Sequence, residues 1–366
     1  MLDSLFLPCL KWRISIIFTF MYSWRIALLP FSWIYASVVS IRNWMYNSRL
    51  KESVPIPGNS ICIGNITVGG TGKSPLTAYL AELFRDKHPV ILSRGYGRKT
   101  QGLYIANTQS TAAEIGDEPM MYWTIFQQEI PVIVSEKRQT GINWIRTNKP
   151  HSLILLDDAY QHRAVKAGIN LLLMTYQRPV FKDFVFPAGN LREPRAGMKR
   201  ADVVVVTKCP KNLSEPKKKR FEKKIPVPRT HVFFSEIVYG ELKGLFGAVW
   251  KSADRLILVT GIAQPEPLYR FLSEKYQVEA IRFPDHHRFT AADIQQILQK
   301  VATFVNHRCV VVTTEKDAVR FVEWKEEIIR SGVPFFVQRI SFKIDRENDF
   351  KDLLKNYVAR TNERSS

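Results

Sequence analysis

The sequence predicts an α/β protein: a large parallel sheet, a second and smaller α/β unit, and an N-terminal helix associated with a membrane. Three observations predict this. Short runs that are apolar throughout alternate with helix-length stretches, the pattern of strands buried on both faces. A Gly-rich turn separates the first such strand from a helix. Within the first forty-odd residues, Ile14 to Ile41 carries a single charge. At 366 residues the chain also exceeds what one core comfortably holds, so two domains and an appendage are expected.

The hydrophobic share of 45% and charged share of 24% are ordinary for a globular chain. Lys and Arg number 53 against 34 Asp and Glu, a formal charge of +19, which favours anionic partners such as lipid headgroups, phosphorylated substrates or nucleic acid. Cys9, Cys62, Cys209 and Cys309 are scattered, without a CxxC pair or a nearby His at ligand spacing. That argues against a zinc site or a disulfide framework, and for a reducing compartment.

From Ile14 to Ile41 the only charge is Arg25. The stretch is long enough to cross about 30 Å of hydrocarbon. Arg25 at the bilayer centre would cost roughly 2.5–3.5 kcal/mol, and Pro30 interrupts the hydrogen bonding of a continuous helix. Lys11, Arg13, Trp24, Trp33, Arg42, Trp44, Arg49 and Lys51 suit a helix lying in the interface or entering it obliquely. The basic residues recur inside and after the apolar run, so the segment is expected to be retained rather than cleaved. Spanning and interfacial placement both stay open.

Strands are expected at 60–64, 90–93, 132–135, 153–157, 169–174 and 203–207, with a helix over 75–84. A basic, Pro-containing stretch from Lys208 to Arg229 breaks the rhythm. A second series follows: strands at 256–260, 280–283 and 309–313, with helices near 267–275, 291–305 and 350–357. The expected division is therefore residues 1–50 as the membrane segment, 51–215 as a nucleotide-binding unit, 216–250 as linker or hinge, and 251–366 as the smaller unit.

The most informative motif is Thr67-Val68-Gly69-Gly70-Thr71-Gly72-Lys73-Ser74, between a strand and a helix. Glycines turn backbone amides toward a phosphate chain, the helix N-terminus adds positive charge, Lys73 reaches the β and γ oxygens, and Ser74 offers a hydroxyl to magnesium. Thr67 stands where the common Gly-x4-Gly-Lys-Ser/Thr pattern has its first glycine. The fold class sharpens to a P-loop NTPase-like sheet. Leu153-Ile154-Leu155-Leu156-Asp157-Asp158 reads as a buried strand ending in two carboxylates, the arrangement that holds a metal opposite the loop hydroxyl. Further polar clusters follow other strands: Ser93-Arg94-Gly95-Tyr96-Gly97-Arg98, Gly116-Asp117-Glu118-Pro119, Asn190-Leu191-Arg192-Glu193-Pro194 and Pro284-Asp285-His286-His287. With a phosphate loop they supply cations, carboxylates and a base for phosphoryl transfer.

In this order the motifs resemble the tetraacyldisaccharide 4′-kinase family, the lipid A 4′-kinases. The likeness runs from Gly64-Asn65 and the phosphate loop through Asp157-Asp158-Ala159-Tyr160-Gln161-His162 to Thr314-Glu315-Lys316-Asp317-Ala318. Ala159 stands where the family usually has Gly, and Ser74 where many phosphate loops have Thr. The resemblance implies ATP and magnesium (Mg2+) as cofactors, two α/β domains joined by a hinge, and the 4′-hydroxyl of a tetraacylated disaccharide lipid as acceptor. It implies Asp117 as base, tuned by His286, and Lys73 on the transferring phosphate. Ser74, Asp157, Asp158 and Glu193 become candidates for the metal, Arg94, Tyr96 and Arg192 for the substrate, and Thr207-Lys208 for the nucleotide base. An acceptor with four acyl chains stays in the bilayer, which implies work at the cytosolic face of the inner membrane.

Two rival readings share some of these features. Membrane-associated partitioning or targeting ATPases also carry a Gly-Gly-x-Gly-Lys run, but with a lysine before the two glycines, where this chain has Val68. A nucleic-acid binder would need aromatics among the basic residues, and the 217–224 run has only Phe221, so no nucleic acid partner is expected.

Overall fold

The computed structural model describes residues 25–304 and 308–363, with side chains to residue 359. The part of the expected membrane segment that includes Lys11, Arg13 and Trp24 lies outside the described residues, as does Cys9.

Strands β1 (Val54–Pro55), β2 (Ser60–Asn65), β3 (Val90–Ser93), β4 (Tyr104–Ile105), β5 (Val132–Val134), β6 (Ile154–Asp157), β7 (Val165–Lys166), β8 (Ile169–Thr175) and β9 (Val203–Thr207) fall in the first part of the chain. Strands β10 (Val232–Gly244), β11 (Arg255–Thr260), β12 (Gln277–Arg282), β13 (Cys309–Thr314) and β14 (Phe335–Ile344) follow. Apart from the small β1–β7 pair, they form one twelve-stranded sheet in the order β12-β11-β13-β14-β10-β9-β8-β2-β6-β3-β5-β4. Neighbours are parallel except β4–β5 and β10–β14.

The helices are α1 (Leu29–Asn47), α2 (Lys73–Leu83), α3 (Ala112–Ile115), α4 (Asp117–Phe126), α5 (Arg138–Asn148), α6 (Glu215–Glu222), α7 (Glu266–Ser273), α8 (Ala291–Ala302), α9 (Glu315–Ala318), α10 (Lys325–Ser331) and α11 (Glu347–Glu363). Successive strand residues serve opposite faces. Ile61, Ile63, Ile91, Leu155, Leu171 and Val205 meet Leu76, Leu80, Met121 and Phe126 of α2 and α4, while Cys62, Leu92, Leu156, Leu172 and Val206 meet Ile142 and Ile145 of α5 and Phe221 of α6. In the second half Ile257, Val259 and Val311 pack with Ile294 and Ile297 of α8, and Leu256, Leu258 and Val312 with Leu268 and Leu272 of α7.

The expected linker, 216–250, is instead ordered structure. Its first part completes α6, and its middle is β10, whose residues Val232–Phe234 pair with β9 and whose later residues pair with β14 across a register shift between Tyr239 and Leu242. The end of the chain also departs from the expected division. Phe350, Leu354 and Val358 of α11 sit in the core of the first half, and Tyr79 of α2 donates to Glu347 at 2.9 Å. Residues 256–336 keep buried clusters of their own, while α11, with Val319, Phe342 and Ile344, joins the core of the first half.

Arg25 and Pro30 have different roles from those feared for a bilayer centre. The Arg25 guanidinium donates to the carbonyls of Pro187 and Gly189, and Pro30 occupies the first turn of α1, where its missing donor costs nothing. Among the described residues no helix is long and apolar enough to cross a membrane.

Candidate active site

The phosphate loop leaves the end of β2 and is folded by short polar contacts. Asn65 Nδ2 donates to Thr71 Oγ1 at 2.8 Å, Thr67 bridges to Leu191, and the Val68 N–H donates to the Asn190 carbonyl at 2.7 Å. Around Gly69 and Gly70 nothing lies within 4 Å of where a Cβ would stand, so this backbone opens into the cleft. Gly72 has φ +90°, and a Cβ there would lie 2.7 Å from Phe342 Cζ, so only glycine fits. Lys73 and Ser74 then open α2. Lys73 Nζ stands 3.3 Å from Asp158 Oδ1, and Ser74 Oγ donates to Glu118 Oε1 at 2.9 Å.

Asp157 ends β6, fully buried, accepting from Thr77 Oγ1 at 3.3 Å and Ser93 Oγ at 3.2 Å. Burial raises its carboxyl pKa, and the charges of Glu118 and Asp158 raise it further. Asp158 faces Lys73 and Arg192, which hold its carboxyl low against its burial. Below them Arg138, itself buried, donates to the Ser135 and Asp157 carbonyls and so props the end of β6.

Glu193, expected near the metal, is engaged elsewhere. Arg200 grips both of its oxygens at 2.8 Å, and Gln161 and Asn43 donate to them as well. With both oxygens engaged, it ties α1 to the sheet edge.

Asp117 is the first residue of α4, presented by Gly116, whose φ of +95° turns the chain between α3 and α4. From the other half, His286 Nδ1 lies 2.9 Å from Asp117 Oδ2, and Arg320 Nη2 donates to the same oxygen at 2.7 Å. Burial raises the Asp117 pKa, but the bonds from His286 and Arg320 outweigh it and hold the carboxyl at about 2. The same bond raises the His286 pKa, against partial burial. Arg320 is fixed in turn by Asp317 Oδ1 at 2.9 Å, and Asp317 accepts from the Gly261 N–H and Thr314 Oγ1.

Lys73, Ser74, Asp117, Glu118, Asp158 and His286 line one cleft of about 840 Å³ between the two halves, reached also by Arg94, Tyr96, Arg192 and Lys208, while Asp157 and Arg320 stand buried behind its wall. Tyr96 is exposed, its ring 6.2 Å from that of His286. Arg192 pairs with Asp158. Thr207 is wholly buried, its hydroxyl donating to the Thr71 carbonyl at 2.8 Å, so it braces the loop; Lys208, with φ +55°, reaches Gln264 across the cleft. The phosphate-loop residues, the acidic pair and the Asp117–His286 pair thus converge, and Glu193 and Thr207 support them from behind.

A sequence profile described as tetraacyldisaccharide-1-P 4′-kinase matches residues 24–359. The chain belongs to this family. A tetraacyldisaccharide 4′-kinase of Cytophaga hutchinsonii is 40% identical, covering 86% of this chain and 90% of the relative. Its namesake in Bacteroides thetaiotaomicron is 36% identical, covering 93% and 94%. A crystal structure of LpxK from Aquifex aeolicus in complex with ATP superposes with a TM-score of 0.72 at 28% identity, covering 91% of this chain and 99% of that one.

In this kinase family member the donor set suits a hard divalent cation. Ser74, Glu118 and Asp157 offer oxygen donors, and the Asp157 carboxyl, raised first by burial and then by the charges of Glu118 and Asp158, is one that a cation would favour in its ionised form. Among the described residues no three His, Cys, Asp or Glu groups converge to hold a metal ion by themselves. Glu118, Lys316 and Arg320 were not assigned roles from sequence. The first two lay inside motifs already noted, so adjacency to Asp117 and to the Thr314-Glu315 run was the available signal. Arg320 had none, because only folding brings it to Asp117.

Proposed function

We propose that this chain transfers the terminal phosphoryl group of ATP to the 4′-hydroxyl of a tetraacyldisaccharide 1-phosphate at a membrane surface. The observation that carries this reading is the meeting, in one cleft, of the phosphate-loop pair Lys73 and Ser74 with the Asp117–His286 pair contributed from opposite halves. In this reading Asp117 takes the proton of the sugar hydroxyl as its oxygen bonds to phosphorus and the bond to ADP breaks. His286 and Arg320 hold the carboxylate toward the acceptor. Lys73 follows the charge of the transferring group, and Arg94, Tyr96 and Arg192 take the sugar or its phosphate. Bound magnesium would be held by Ser74, Asp157 and Glu118, with Asp158 nearby, and would offset charge on the phosphate oxygens.

The membrane side of the reading rests on α1. Its polar residues Ser32, Tyr35 and Asn43 bond to the Ala188 N–H, the Arg192 carbonyl and Glu193, and so face the protein. Phe31, Trp33, Ile34, Val38, Ile41 and Trp44 are each 58–67% exposed on the remaining arc. An outward apolar arc of that size with Arg42, Arg49 and Lys51 at its end suits an anionic interface, here the cytosolic face of the inner membrane. Two lobes closing over both substrates, with β10 and β14 as the junction, belong to the same proposal.

The test is to incubate the purified chain with ATP, magnesium and tetraacyldisaccharide 1-phosphate and read the lipid by mass spectrometry. A gain of one phosphate at the 4′ position is expected. Hydrolysis of ATP with the lipid unchanged would favour a partitioning-type ATPase instead.

A further inference from the structure

Helix α9 and the turn after it carry two cations four residues apart, Lys316 and Arg320, which face two consecutive carboxylates on the other side of the cleft. Arg320 meets Asp117, and the Lys316 ammonium meets Glu118. The second pair stands close to the phosphate loop, because Glu118 Oε1 accepts both from Lys316 Nζ and from Ser74 Oγ. The ammonium is therefore only two hydrogen bonds away from the loop hydroxyl. Lys73 also acts electrostatically on Glu118, and Asp157 on Lys316, so two lysines from opposite halves share one carboxylate cluster.

An ammonium bonded to a carboxylate beside a phosphate-loop hydroxyl occupies the neighbourhood in which positive charge is needed when a nucleotide is bound. A divalent cation held on Glu118 would compete with Lys316 for the same oxygen, and a bound phosphate chain would offer the ammonium another anionic partner. Lys73 approaches that chain from within the loop. Lys316 comes from the far wall, on α9, whose cap Thr314 accepts from the Asp317 N–H at 3.2 Å, while Asp317 itself is fully buried.

We propose that Lys316 is a catalytic residue that contacts the terminal phosphoryl group of the bound nucleoside triphosphate from across the cleft, exchanging Glu118 for phosphate oxygens when the metal-bound nucleotide enters. This rests on the kinase reading above and adds to it a cation from the second half of the chain. A positive group brought from a separate element to the transferring phosphate stabilises the charge spread over its oxygens as the bond to the leaving group loosens. It also distinguishes ATP from ADP, because only ATP carries the group that Lys316 meets.

The experiment measures equilibrium affinities of the full chain for ATP and ADP in magnesium without lipid, beside lipid turnover, for the wild type, Lys316→Met and Lys316→Arg. Methionine keeps the length and volume of the buried stem, so the folded state can be verified by thermal unfolding. Lys316→Met is expected to weaken ATP by about 10-fold or more while ADP changes little, and to lower kcat by about 10²–10³-fold, as for loss of one preorganised charge-stabilising donor. Lys316→Arg is expected to keep part of the preference for ATP. An ATP-over-ADP preference that is the same in Lys316→Met as in the wild type would overturn the proposal, whatever happens to turnover. A wild-type chain that binds ATP but leaves the lipid unphosphorylated would overturn the kinase reading instead, so the two failures are separable.

Discussion

The two sides of the cleft are built differently, although they belong to one sheet. On the phosphate-loop side β2, β3, β6 and β9 are buried along their whole length, packed by helices on both faces. On the other side β10 and β14 run for 13 and 10 residues, change register midway, and become half exposed where they pass the cleft. The first side offers a fixed floor for a phosphate chain. The second brings His286, Lys316 and Arg320 to it through ion pairs, with Val319 beside Arg320 buried in the core of the first half. In the proposed reading the floor holds the phosphate chain, and the ion-paired side adds Lys316 and the groups that complete the chemistry.

The sharpest way to break this contrast is Asp117→Asn, which removes the base but leaves the floor intact. Turnover is expected to fall by about 10²–10⁴-fold with ATP affinity retained. If titration calorimetry shows that only ATP affinity has changed, Asp117 belongs with the nucleotide site. Lys73→Ala attacks the floor itself and is expected to cost about 10²–10³-fold in kcat together with weaker ATP binding; near-normal lipid phosphorylation would contradict the assignment.

A smaller effect tests the rigidity of the floor. At Gly72, with its left-handed φ and Phe342 in the space of a Cβ, Gly72→Ala is expected to destabilise the fold by about 1–3 kcal/mol, read as a lowered denaturant midpoint. An unchanged midpoint would mean that the loop relaxes freely.

The smallest expected effect concerns the His286–Asp117 pair and its pH dependence. The His286 pKa is raised above its ordinary 6.5, so its contribution to stability is complete below 6.5 and fades as pH rises through the raised value. The Asp117 pKa is lowered from 3.8 to about 2, so its contribution is present above 3.8 and is lost as pH falls through about 2. The loss in melting temperature caused by His286→Gln should therefore be greatest between about pH 4 and 6.5 and shrink toward pH 9. A loss that grows with pH would show that the pair does not bind the lobes as drawn.

Much of the first half was legible in the sequence because its signals are local. Strands buried on both faces are unbroken apolar runs, so 90–93 and 203–207 were found to the residue and 60–64 within one position. Strands β10 and β14 open with short buried runs, Val232-Phe233-Phe234 and Phe335-Phe336-Val337, but continue into half-exposed residues. Val238, Glu236 and Lys243 interrupt β10 with solvent-facing positions, and a basic stretch before it reads as a boundary, although Phe221 within that stretch is buried against Phe181 and Phe234. Glu193 was legible as a carboxylate near the site, but Arg200 as its partner was not.

The sequence by itself determined the phosphate loop, the acidic end of β6, the apolar character of α1 and the family, because each is written in contiguous residues or in motifs that keep their order. The tertiary structure decided which charges meet. Asp117 finds Arg320 across 203 residues, Glu118 finds Lys316 across 198, and α11 returns to the first core after the second half is complete. Contacts between distant residues depend on how the sheet twists and closes, and no local periodicity records that.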